Sequence, residues 1–196
     1  MSTFWVYFQI GLGHVIDFGG YNHILFLIAL VIPYDFKDWR KILLLVTIFT
    51  VGHIISLILS VFGILTIMPR LAEFLIPMTV LIMALFNLFS TGRSSRKDNI
   101  NFMGPVTLFF GFIHGLGFSN YFKSLLTGSA FDKVGPLLQY AIGIIGAQLI
   151  VVIMFLLIAF IIKSFFRVSR RDWVLVVSAL VVGAIIPIIA QNEIWY

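Results

Sequence analysis

The chain has 196 residues, of which 61% are hydrophobic and only 11% charged, with a mean hydropathy of +1.10. A soluble domain carries roughly 25% charged residues, so no water-soluble core could hide this much apolar side chain. The formal charge of +5 resides in short segments between apolar runs, which points to membrane topology and away from nucleic-acid binding. With no cysteine in the chain, a disulfide framework, a thiolate metal site and a cysteine nucleophile are all excluded.

Taken in chain order, apolar runs cover roughly 4–32, 42–66, 71–90, 103–119, 137–162 and 173–190. All but the fourth reach the ~20 residues that a helix needs to cross a bilayer. The pattern predicts an all-α polytopic transmembrane bundle in a single domain over 1–196, with no linker, no removable signal peptide and no alternating β-barrel pattern. The first run is interrupted by Asp17-Phe18-Gly19-Gly20-Tyr21-Asn22, and its halves are each too short to cross alone. It reads as one broken helix or a re-entrant pair, which makes six spans, or seven if each half crosses. Residues 120–136 carry Asn120, Lys123, Asp132 and Lys133 and read as an interfacial helix.

Charge orients these elements. Segments 33–41, 91–102 and 163–172 hold ten of the thirteen basic residues, which puts them in the cytoplasm and both termini outside. Trp5, Trp39, Trp173 and Trp195 all fall near the expected membrane interfaces.

All four histidines, His14, His23, His53 and His114, sit in or beside apolar runs. An ionisable group at membrane depth is costly, so its first reading is functional. His14 and Asp17 lie at i and i+3 on one helical face, a spacing suited to gripping a metal. A helix broken beside them frees backbone groups that persist where they line a cavity or an ion. An exposed turn is the plainer reading of Asp17-Phe18-Gly19-Gly20. Thr50, His53 and Ser56 form a narrow polar stripe at i, i+3 and i+6; helix-to-helix hydrogen bonding is the plainer reading, and the mid-membrane position of His53 favours function. Glu73 is either a site carboxylate or the interfacial partner of Arg70. His114 stands among Gly111, Gly115 and Gly117, and Gln148 follows Gly143 and Gly146, both patterns of close helix packing.

Imidazole plus carboxylate is a ligand set for a borderline divalent metal. From the residues alone two functions compete. One is a metal permease. The other is an intramembrane metalloenzyme of zinc-hydrolase type, with Asp17 or Glu73 as base and Ser56 positioning substrate, although no His-Glu-x-x-His helix is present. A third reading is a non-catalytic helper whose histidines bond only between helices.

Through these residues the chain resembles the HupE/UreJ family of small membrane proteins. The resemblance runs in order through His14 and Asp17, Gly20 to Leu27 with Asn22-His23, Phe49 to Leu57, Glu73 to Pro77 and Phe110 to Ser119. It implies a nickel or cobalt permease of a bacterial inner (cytoplasmic) membrane, with a metal-ion substrate and the lipid bilayer as partners; homo-oligomerisation is left open. It implies metal ligation by His14, Asp17, His23, His53 and His114, with Glu73, Ser56, Asn22 and Gln148 as further candidates. The chain has Asn22 where the family carries Asp, and Ala141 and Ile145 where it tends to carry Asn and Glu before its Gln. Those departures leave fewer carboxylates to compensate a dication.

Overall fold

The structure, a computed structural model, describes residues 3–16, 21–91, 100–126, 128 and 131–195. The described residues form an all-α bundle of seven α-helices: α1 (Thr3–Ile16), α2 (Asn22–Val31), α3 (Trp39–Val61), α4 (Pro69–Ser90), α5 (Ile100–Leu125), α6 (Val134–Phe166) and α7 (Arg170–Ala190). Among the described residues, α3 to α7 are long and apolar enough to cross a membrane individually. The first apolar run forms two helices of 14 and 10 residues, only about 21 and 15 Å long at 1.5 Å per residue. Asp17, Gly19 and Gly20, which were expected at the break, lie outside the described residues.

The 103–119 run, counted as a span although short, is the middle of the 26-residue α5. Asn101, Asn120 and Lys123 extend that helix at both ends, where polar side chains reach the interface and hydropathy understates the span. Accordingly, 120–136 is not a separate interfacial helix: 120–125 close α5, and α6 starts at Val134. Trp173 also departs from its expected place in an aromatic belt. It is 6% exposed and packs beside Phe155, whereas Trp5, Trp39 and Trp195 are exposed.

Helix ends follow local chemistry. Gly63, at φ +75°, ends α3 in a Schellman motif: Ile64 N–H donates to Leu59 O at 2.9 Å and Gly63 N–H to Ser60 O at 3.0 Å. Pro69 occupies the first turn of α4, where a missing N–H costs nothing. Ser169 caps α7 by accepting from Asp172 N–H, so α6 and α7 meet in a tight turn. At the end of the bundle where α6 meets α7, Lys163 pairs with Asp35, and Arg170 donates to Pro33 O.

Glycines bring helices together where a lipid environment offers no hydrophobic drive between them. A Cβ added to Gly52 would collide with Leu108 O, one at Gly111 with Phe49 O, and one at Gly115 with His53 O and Ser56 Oγ. Backbone therefore meets backbone along α3 and α5. The matches Gly111–Phe49 and Gly115–His53 advance together, so the two helices run parallel. α1 and α6 use the same device: Gly11 faces Tyr140 O and Gly143 faces Phe8 O. α2 is wedged between these pairs and tied to α4, where Asn87 Nδ2 donates to Ala29 O at 2.6 Å.

Candidate metal centre

The tight packing of α3 on α5 sets His53 and His114 at one level, because Gly115 rests on the His53 carbonyl. α1 brings His14 and α2 brings His23 to the same place. Ring centroids are 4.4 Å apart for His14–His23, 5.5 Å for His14–His53, 5.7 Å for His23–His53 and 4.9 Å for His23–His114. Residues separated by a hundred positions in sequence thus form one cluster on four helices. His53 and His114 are wholly buried, His23 nearly so, and His14 partly.

One ring nitrogen from each of His14, His23 and His53 lies within 4.8 Å of the others. Metal–nitrogen bonds of about 2.0–2.1 Å hold tetrahedral ligand atoms roughly 3.4 Å apart, so a bound ion would need the three imidazoles to close by little more than 1 Å. The nitrogens are chemically available. His14 Nε2, His23 Nε2 and both nitrogens of His53 are buried and have no hydrogen-bond partner among the described residues. His114 differs, with its Nδ1 2.8 Å from Phe110 O. A carbonyl only accepts, so Nδ1 carries the proton and donates, which leaves the buried Nε2 lone pair unengaged.

The remaining candidates are placed differently. Asp17 lies outside the described residues. Asn22 is half-buried beside His23, its Oδ1 without a partner among the described residues. Ser56 donates to its own helix at His53 O, 2.9 Å away, and seats Gly115; its hydroxyl is used in packing. Glu73 is exposed and shares a surface recess with Arg70 and Glu193, and Arg70 pairs with Glu193 at 3.4 Å. The structure does not bring Glu73 to the histidines. Among the described residues no Asp or Glu is fully buried.

Gln148 on α6 reaches Thr50 on α3, one turn from His53. Thr50 Oγ1 has two near oxygens, Val46 O at 2.8 Å and Gln148 Oε1 at 2.5 Å, but a single proton. With the carboxamide turned over, Gln148 Nε2 donates to Thr50 while Thr50 donates to Val46, and two acceptors no longer face one proton. Thr50→Val should therefore strand a buried carboxamide and cost about 0.5–2 kcal/mol, read as a lowered melting temperature in detergent.

Sequence reasoning missed the aromatic side chains around the cluster. Phe118 lies against His14 with centroids 3.9 Å apart, Tyr140 is 6.0 Å from it, and Phe26 and Phe49 are 4.9 and 5.2 Å from His114. Phe118 and Phe49 stand within the quoted motifs, where nothing in the sequence tells a site-lining ring from a lipid-facing one. Tyr140 carried no signal beyond being a phenol inside an apolar run.

A polytopic helical bundle with imidazoles gathered in its interior defines an integral membrane protein with a candidate metal centre. The family model described as HupE / UreJ protein matches residues 1–192, and the chain belongs to that family. No curated protein and no solved structure matches it.

Proposed function

We propose that the protein is a membrane permease for a divalent transition metal, nickel or cobalt, in a bacterial inner membrane. The observation that carries this reading is the convergence of His14, His23 and His53 nitrogens within 4.8 Å of one another in the bundle interior. Neutral imidazoles suit borderline cations such as nickel and cobalt. Without a fully buried carboxylate among the described residues, they compensate little of a dication's charge. Such a site holds its ion briefly, as passage requires. Asp17, three residues after His14, would add a carboxylate to the set. HupE/UreJ membership supports transport as the activity.

A hydrolase would need a carboxylate base beside the metal; Glu73 is exposed away from the histidines, which leaves that reading to Asp17 alone. The test is uptake of nickel, cobalt and zinc into proteoliposomes made with the purified chain. Nickel or cobalt should accumulate well above empty vesicles, and His14→Ala should bring accumulation back to that background. Native proteoliposomes that accumulate no metal would end the permease reading.

A further inference from the structure

The histidines lie between two aromatic layers. α5 sets the order: Phe110 precedes His114 by one turn, and Phe118 and Phe122 follow it by one and two turns. On the side of Phe110, Phe26 and Phe49 stack with centroids 4.6 Å apart at 22°, and Phe110 meets Phe26 at 5.9 Å. On the other side Phe118 and Tyr140 lie parallel, 5.2 Å apart at 3°, and Phe122 meets Tyr140 at 4.5 Å. The second layer faces the connection 126–133. That connection is outside, because the basic segments lie at the opposite ends of α5 and α6.

This outer layer joins two separately packed helix pairs. Phe118 and Phe122 belong to α5, locked to α3 by Gly52, Gly111 and Gly115; Tyr140 belongs to α6, locked to α1 by Gly11 and Gly143. Motion of one pair against the other would part the stacked rings without breaking either backbone contact. Phe122 and Tyr140 are fully buried, yet the Tyr140 hydroxyl has no hydrogen-bond partner among the described residues. A phenol oxygen in a dry seam weakens the closed form, because opening to water would satisfy it.

We propose that Phe118, Phe122 and Tyr140 form the outer gate of the histidine site. The Tyr140 ring seals the site, and its hydroxyl, without a partner among the described residues, keeps the seal openable. The inference rests on the permease reading for its purpose, but its geometry can be tested without metal.

The chain contains no cysteine, so His14→Cys introduces a single thiol directly beneath Phe118. Its rate of modification by a membrane-impermeant cationic methanethiosulfonate, added outside right-side-out vesicles, reports opening of the gate. In the His14→Cys chain, Tyr140→Ala and, separately, Phe118→Ala should each speed modification at least about tenfold, since the closed form loses the burial of an aromatic ring. Tyr140→Phe keeps the ring, removes the stranded hydroxyl and should slow modification severalfold. Inside-out vesicles of the same variants should stay slow, because the Phe26–Phe49 layer is untouched. Rates unchanged by both alanine substitutions, faster labelling in Tyr140→Phe, or equal labelling from both faces would each overturn the gate. Nickel uptake is measured separately on the native chain. Its absence alongside the expected labelling pattern counts against the permease and leaves the gate standing.

Discussion

His53→Leu is expected to abolish nickel uptake and leave the bundle at least as stable as the native protein. Both ring nitrogens of His53 are buried without a partner among the described residues, and the residue has no measurable exposure. Each buried polar group left unserved costs about 1–3 kcal/mol, so a leucine of similar volume relieves that cost and adds apolar contact. The same change deletes one of three converging imidazoles, and loss of a direct ligand should weaken nickel binding at least a hundredfold or so, beyond what lost supporting contacts usually cost. Nickel titration by calorimetry and thermal unfolding in detergent, run on the same preparation, read the two effects. A variant that melts well below the native chain would mean that His53 is a structural residue. One that binds nickel normally would remove it from the site.

Gly111→Ala is expected to be a strongly damaging single-methyl change at the α3–α5 seam. Its new Cβ would run into the backbone of Phe49, and backbone cannot swing aside as a flexible side-chain tip can. Overpacking of this kind costs about 1–3 kcal/mol, and occasionally more where the collision is with main chain. The helices must part, and because Gly115 seats the His53 carbonyl on the same seam, His53 and His114 part with them. Lower stability and lost nickel uptake should appear together. Gly183→Ala is the control: nothing lies within 4 Å of its Cβ, and the residue is exposed on α7. There alanine should be neutral or gain up to about 1 kcal/mol from helix propensity. Equal melting temperatures for the two variants would refute close backbone packing as the source of the seam.

Much of the architecture was readable before any coordinates, because a bilayer imposes length and apolarity on each crossing element. The runs at 42–66, 71–90, 137–162 and 173–190 became α3, α4, α6 and α7, with ends shifted by a few residues. α5 was underestimated for a physical reason: Asn120 and Lys123 sit in its last turns, where the helix leaves the apolar zone. The same interface explains why a polar stretch from 120 to 136 resembled a surface helix. Trp173 shows the opposite failure. A tryptophan near a helix start satisfies the belt pattern, but whether its ring faces lipid or a neighbour depends on the partner helix, and here Phe155 covers it.

The site was legible as a set of residue types and illegible as an arrangement. Histidines in apolar surroundings are costly enough to be noticed singly, which is why all four stood out. Their separation did not depend on composition. It depended on which face of each helix turns inward and on how closely the backbones approach, and Gly52, Gly111 and Gly115 decide that by what they lack. Ser56 and Glu73 passed the chemical test; Ser56 lies beside His53 with its hydroxyl bonded within its own helix, and Glu73 stands exposed away from the histidines. Tyr140 and Phe118 failed any chemical test and yet line the histidines.

By itself, the amino-acid order determined a helical membrane protein of the HupE/UreJ kind, because hydrophobic transfer energies and separated motifs are properties of local sequence. Only the tertiary structure decided that four imidazoles on four helices share one interior space between two aromatic layers. The reason is geometric: side-chain direction follows from helix crossing and backbone contact, which arise between segments that the linear chain keeps far apart.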